Sequence, residues 1–226
     1  MKEKIILFTR VPKEGTTKTR LYDFMSPTEA VNIQKKLLKK NYDLLAETNR
    51  ELLVCHDGNN SDDKEMAELI SCDKFYYQKG DNLGDKMYNA LEEVISDSKV
   101  ILLGSDIFNL DKDIIEEAFE KLETHDIVTN PSEDGGYFLI GMKKAIKEVF
   151  DLPSYGDSSV LENLIKVLEK NNLTYYLGRA ALDIDIKEDL LYAETGYKNI
   201  KLLGAGEYNI NFTFDEDNMK KVLRLN

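Results

Sequence analysis

Ile5-Ile6-Leu7-Phe8-Thr9-Arg10-Val11-Pro12-Lys13-Glu14-Gly15-Thr16-Thr17-Lys18-Thr19-Arg20-Leu21 runs an apolar segment directly into a basic loop. The apolar half, Lys4–Thr9, reads as a buried strand, and a strand that opens into a charged loop is where α/β sheets hold ligands. Between Arg10 and Arg20 stand four cations (Arg10, Lys13, Lys18, Arg20) and one acid, Glu14, in a chain whose net charge is -12. A positive island in an acidic protein points to an anionic partner, first of all a phosphate-bearing small molecule. A solvated basic turn is the alternative. The loop is not a Walker A loop, because Thr17 rather than Gly precedes Lys18. It is still suited to wrap a triphosphate, with backbone N–H groups around Gly15 and the side chains of Lys18 and Arg20.

Outward from this segment, strand-like and helix-like stretches alternate. Strands are expected at Glu51–Cys55, Lys74–Tyr77, Val100–Leu103, Asp126–Thr129, Tyr137–Ile140 and Leu173–Leu177. Helices are expected at Pro27–Glu47, with Ser26 as N-cap and Glu29 completing a capping box, and at Ser61–Ile70 and Asn82–Ile95. Two more are expected from Asp111 to Leu122 and over Ser158–Lys170. The order predicts an α/β fold: a Rossmann-like three-layer sandwich whose mostly parallel strands are joined by right-handed helical crossovers. At 226 residues the chain suits one such domain, and its 32% charged and 42% hydrophobic residues are a soluble globular balance. The acidic total argues against a nucleic-acid partner. No apolar stretch approaches the roughly 20 residues needed to span a bilayer, so no membrane partner and a cytoplasmic location are expected. Cys55, Cys72, His56 and His125 show no metal-type or redox-type spacing and read as structural.

Four further segments carry chemistry. Gly80-Asp81-Asn82-Leu83-Gly84 opens a helix, where Gly80, Asp81 and Gly84 would let a nucleotide approach the backbone; an ordinary capped helix start is the alternative. Leu102-Leu103-Gly104-Ser105-Asp106 places a carboxylate at the end of a buried strand, where it needs a partner or a cation. Mg²⁺ carrying a nucleotide would satisfy Asp106, with Ser105 beside the nucleotide. In Pro131-Ser132-Glu133-Asp134-Gly135-Gly136-Tyr137 the paired glycines suggest a backbone pressed against a ligand, and Asp134 would orient an acceptor hydroxyl; a plain turn is the alternative. Asp183 and Asp185, two residues apart in an extended segment, share one side and would complete the metal's oxygen ligands opposite Asp106.

Together, Phe8–Leu21 with Lys18-Thr19-Arg20-Leu21, Gly80–Met87, Gly104–Asp106, Glu133–Gly141 and Asp183–Leu190 resemble the DUF2064 proteins, in the same order. Those are glycosyltransferase-A-like members of the nucleotide-diphospho-sugar transferase superfamily, similar to 2-phospholactate guanylyltransferases and molybdenum-cofactor nucleotidyltransferases. The resemblance implies a nucleotide-binding Rossmann-like domain, Mg²⁺ dependence and Asp106 as metal ligand. The family's usual Cys-Pro after the Asp106 position is Ile107-Phe108 here, and its Asp-Val-Asp-Thr-Pro-Glu-Asp stretch is Asp-Ile-Asp-Ile-Lys-Glu-Asp.

The expected reaction is nucleotidyl transfer from a nucleoside triphosphate to a phosphorylated small-molecule acceptor. Lys18 and Arg20 would bind phosphates, Arg10 would orient them, and Asp106 with Asp183 or Asp185 would hold the metal. Glycosyl transfer from a nucleotide-sugar is the runner-up, and a non-catalytic nucleotide-binding domain of a larger protein is the third reading. Residues 1–196 would form the transferase domain and 197–226 a small β appendage. The strand-loop-strand pattern through Gly204-Ala205-Gly206 resembles the start of an aminoglycoside/choline phosphotransferase domain. A hairpin packed on the sheet, or on a second copy in a homodimer, is the alternative.

Overall fold

The computed structural model describes residues 1–190, and its twelve regular elements follow the expected order. They are β1 (Lys2–Thr9), α1 (Pro27–Ala46), β2 (Glu51–His56), α2 (Asp63–Ile70), β3 (Phe75–Tyr77) and α3 (Leu83–Val94). Then come β4 (Ser98–Gly104), α4 (Lys112–Lys121), β5 (Ile127–Pro131), β6 (Tyr137–Met142), α5 (Val160–Lys170) and β7 (Tyr175–Leu177). Single 3-10 turns at Thr19–Leu21 and Lys147–Phe150 add to these.

Local chemistry starts and stops the helices. At α1 the Ser26 hydroxyl accepts from Glu29 N at 3.3 Å while Ser26 N donates to Glu29 Oε2 at 2.8 Å, and Pro27 fills the first helical position. Asn82 and Asp111 cap α3 and α4 through their side-chain oxygens, at 2.9 Å in each case. Period-3.6 apolar stripes then face the sheet, as with Met87, Leu91 and Val94 of α3.

The strands form one seven-stranded sheet in the order β3-β2-β1-β4-β6-β5-β7. Because strand side chains alternate, the apolar run of β1 supplies both faces. Ile5 and Leu7 pack with α1, α2 and α4, whereas Ile6 packs with α3 and α5. These two apolar layers account for the three-layer sandwich. One strand departs from the expected crossovers: β6 runs antiparallel to both β4 and β5. Its link from β5 is the short turn around Ser132–Gly136, and a parallel return needs a dozen residues or more, so the chain can only fold back.

Wherever the parallel strands end, they deliver loops to one edge of the sheet. The winding changes direction between β1 and β4, which places the loops after those two strands side by side. A third apolar cluster, with Leu21, Leu37, Phe108, Leu182 and Ile184, ties the basic loop to α1, to the segment after β4 and to the segment around Asp183. The expected β unit over 197–226 lies outside the described residues. Among the described residues no helix is long and apolar enough to cross a membrane.

Candidate active site at the carboxyl ends of the parallel strands

The basic loop leaves β1 and folds back on itself. Thr17 N donates to Lys13 O at 3.1 Å and Thr17 Oγ1 accepts from Lys13 N at 2.9 Å. Lys18 then adopts a left-handed conformation (φ 50°, ψ 38°), uncommon for a residue with a side chain. This turns the Lys18 side chain inward, where it is only 4% exposed, and sets Nζ 2.8 Å from Asp106 Oδ2 and 3.9 Å from Asp185 Oδ1. Arg20 stays exposed and donates to Asp185 Oδ2 at 2.8 Å. Arg10 is exposed beside the loop, and Gly15 N donates to the Tyr22 hydroxyl at 2.8 Å. The fourth cation is committed elsewhere: Lys13 pairs with Asp62 and pins the loop to the start of α2.

Asp106 sits just past β4 and is 35% exposed. Burial works against its ionisation, but the Lys18 ammonium outweighs that and holds the carboxyl below the usual carboxylate range. Its backbone is fixed from beneath by α1. The fully buried Asn41 donates through Nδ2 to Ser105 O at 3.0 Å and to Ile107 O at 2.9 Å, the carbonyls on either side of Asp106. Gln34, two turns earlier on the same face, donates to Ser105 Oγ at 3.0 Å, and that hydroxyl also lies 2.7 Å from Thr9 Oγ1. Sequence reasoning missed Gln34 and Asn41. Their signal was two uncharged polar residues on the apolar face of α1, among Ile33, Leu37, Leu38 and Leu45.

The segment carrying Asp183 is zipped to the loop after β4. Phe108 N donates to Leu182 O at 2.7 Å and Ile184 N to Asp106 O at 3.3 Å, so Ile107 and Asp183 form an antiparallel bridge. This brings Asp183 to the mouth of the cleft, where burial, and then the Asp106 and Asp134 carboxylates, push its pKa up to about 7. The structure therefore gathers Asp106, Asp134 and Asp183 around one cleft of about 240 Å³, with Lys18 bonded to Asp106 and facing Asp185, which in turn holds Arg20. Tyr137, Tyr155, Met87, Leu83 and Val160 supply the apolar walls of the cleft; Leu83, Met87 and Tyr137 belong to motifs picked out in the sequence, whereas Tyr155 and Val160 do not.

Several expected site residues are engaged differently. Ser105 is buried and its hydroxyl is engaged with Thr9 and Gln34. Gly84 is needed for packing: a Cβ there would collide with the Phe150 carbonyl oxygen and the Tyr155 ring. The backbone at Gly135 (φ +91°) is pressed against the Ser158 segment of the chain itself, and Leu161 N donates to Gly135 O at 3.0 Å. Gly80 and Asp81 stand exposed in the turn before α3. Among the described residues no group of three or more His, Cys, Asp or Glu is clustered as a metal site. Asp106 and Asp185 are both turned to the cations of the basic loop, Asp106 to Lys18 and Asp185 to Arg20 and Lys18.

Comparison with known proteins agrees with this architecture. Over 200 residues the chain is 28% identical to a 2-phospho-L-lactate guanylyltransferase of Methanocaldococcus jannaschii, covering 84% of this chain and 81% of that protein. A crystal structure from Desulfovibrio desulfuricans G20, described as a nucleotide-diphospho-sugar transferase, superposes with a TM-score of 0.78 at 27% identity, covering 88% of this chain and 89% of that one. The 4-diphosphocytidyl-2C-methyl-D-erythritol synthase of Anaerococcus prevotii shares the fold, with a TM-score of 0.54 at 9% identity over 84% of this chain and 94% of that one. The model of a family described as an uncharacterized protein conserved in bacteria matches residues 40–157, which span β2 to β6 and include Asp106 and Asp134, and the chain thus belongs to the DUF2064 family.

Proposed function

We propose that this transferase is a nucleotidyltransferase that joins a nucleoside monophosphate, taken from a nucleoside triphosphate, to a phosphorylated small-molecule acceptor. The observation that carries the reading is the inward-turned Lys18 bonded to Asp106, with Arg10 and Arg20 on the same loop. Cations at this edge suit a triphosphate, whose several charges need neutralisation before a nucleophile can approach. In the reaction an acceptor phosphate oxygen attacks the α-phosphorus. The bond from that phosphorus to the bridging oxygen breaks, pyrophosphate leaves with the electron pair, and a new P–O–P linkage forms. Lys18 contributes a fixed positive charge beside the reacting phosphates. Arg10 and Arg20 hold the outer phosphates, and Asp185 keeps Arg20 at the rim. Asp134 accepts a hydrogen bond from the acceptor.

The donor set fits a hard divalent cation. Burial first, and then the neighbouring Asp106 carboxylate, raises the Asp183 pKa at the cleft mouth, and a cation shared with substrate phosphates would relieve that repulsion. Asp106 and Asp183 would hold Mg²⁺, which when bound supplies charge neutralisation on the triphosphate. No deprotonating residue is required, because an acceptor phosphate is already anionic at neutral pH.

Pyrophosphate release from a triphosphate, dependent on an acceptor and on Mg²⁺ and lost in Asp106→Asn, is the expected result. The description of the Desulfovibrio protein favours a second reading, glycosyl transfer from a nucleotide-sugar, which would release a nucleoside diphosphate instead. Nucleotide binding without either product would leave a sensing role. The transferase domain of this proposal is residues 1–196 and the protein is placed in the cytoplasm; all the site residues named above precede residue 190.

A further inference from the structure

We propose that Asp57 and Asp62, in the loop after β2, are positioning residues for a bound triphosphate: two acids that support an anion site by holding the basic loop in shape. This assignment rests on the reading of that loop as the phosphate site, and adds what sets its geometry.

The path from these acids to Lys18 is short. Asp57 Oδ1 accepts from Val11 N at 2.9 Å, which fixes the chain where it leaves β1. Asp62, whose side chain is only 9% exposed, pairs through Oδ1 with the Lys13 ammonium and accepts from Asn59 N at 3.0 Å through Oδ2. Lys13 is in turn locked to Thr17 in both directions, its N–H donating to Thr17 Oγ1 and its carbonyl accepting from Thr17 N. The buried Thr17 hydroxyl donates onward to Val11 O at 3.4 Å. Lys18 is the next residue, in the left-handed conformation that sets its ammonium against Asp106.

The bracket is itself braced. The buried His56 ring accepts from Gly58 N through Nδ1 at 3.1 Å, and its Nε2 lies 3.1 Å from Oδ1 of Asp63, the first residue of α2. A Cβ at Gly58 would collide with Asp62 Oδ2 and Val11 Cγ2, so the two loops interlock at close range.

Charge alone argues against these acids. A carboxylate beside an anion site repels the ligand, and Asp62 also occupies a cation, Lys13, that could otherwise face phosphate. What the acids supply is order. A loose loop of cations loses conformational entropy when it wraps a phosphate chain, and a loop already held in shape loses less.

The two effects differ in sign, so affinity separates them. Titration calorimetry on the full chain with Mg²⁺ would compare non-hydrolysable analogues of ATP, GTP, CTP and UTP, and the tightest binder would then be used on the variants. Asp62→Ala and Lys13→Met should each bind it about fivefold or more weaker, although they change the local charge in opposite directions. Asp57→Ala should bind about threefold or more weaker. Asp57→Asn, whose amide oxygen still accepts from Val11 N, should stay within about twofold of the wild type. Asp57 is exposed, so this pair of variants decides the matter even where Asp62→Ala does not fold. Urea unfolding establishes that each variant tested is folded in the assay. Tighter or unchanged binding in either acid-to-alanine variant, or equal losses in Asp57→Ala and Asp57→Asn, would overturn the proposal. Absence of triphosphate binding by the wild-type chain would remove the phosphate site and this assignment with it. Wild-type binding without pyrophosphate release would count against the nucleotidyl reading and leave the positioning role standing.

Discussion

Replacing Lys18 by Met keeps the length and apolar stem of the side chain and removes only its charge. In the folded protein the ammonium is 4% exposed and bonded to Asp106 at 2.8 Å, and Asp106 is itself 35% exposed. Breaking a fully buried ion pair costs about 3–5 kcal/mol, because the surviving charge is stranded. Here Asp106 retains access to water, and Asp185 has Arg20 as its other partner, so the stability loss should fall to about 1–2 kcal/mol. Nucleotide affinity should suffer more. A hydrogen bond to a charged group contributes about 1.5–3 kcal/mol, which is roughly a 10- to 150-fold loss. Urea unfolding measures the first quantity and titration calorimetry with a nucleoside triphosphate and Mg²⁺ the second. A variant of normal stability and normal affinity would show that Lys18 merely neutralises Asp106. Equal losses of affinity and stability would show that the loop unfolds locally, and the assignment of Lys18 to the phosphates would fall.

Asn41→Leu should destabilise the protein by about 1–3 kcal/mol, since two buried carbonyls lose their donor, and should lower turnover more than nucleotide affinity; a stable, fully active variant would remove Asn41 from the support of Asp106. Arg50 bonds Glu116 and Glu3 and stacks on Phe119, and its hydrogen bonds hold the Glu116 carboxyl below the usual range. Arg50→Met should therefore cost about 1–2 kcal/mol at neutral pH. Because the folded pKa of Glu116 is depressed, that difference should persist above about pH 4 and shrink as acid protonates the carboxylate, which denaturant titrations from pH 7 to 3 would read. Burial pushes the Cys55 thiol up to about 12, so in the native protein it should stay unmodified by a thiol reagent at pH 7 and react only on unfolding. Ending the chain at residue 196 should leave nucleotide affinity within about twofold, because the proposed site draws on residues before 190; loss of binding in a folded truncation would move part of the site into the tail.

The elements were legible because each is set by neighbours in the chain. The Ser26–Glu29 box, the Asn82 and Asp111 caps and the alternating apolar faces of β1 are short-range facts, and the structure reproduces them within a few residues. The cations of the basic loop and the carboxylate after β4 could also be picked out, as charges stranded at the ends of apolar runs. Tertiary structure decided which of those groups meet. Nothing near Asp183 in the chain says that its strand will pair with Ile107, or that the left-handed turn at Lys18 will carry that ammonium to Asp106. Ser105 and Gly84 sit in motifs that read as ligand-binding, yet one is claimed by Thr9 and Gln34 and the other by Phe150 and Tyr155. The same holds for β6, whose strand character was legible and whose direction followed from a link too short to cross the sheet. A propensity or a cap is settled within one or two turns of chain. The direction in which a side chain finally points is settled by partners often 60 or more residues away, through packing and hydrogen bonds that exist only once the sheet has formed.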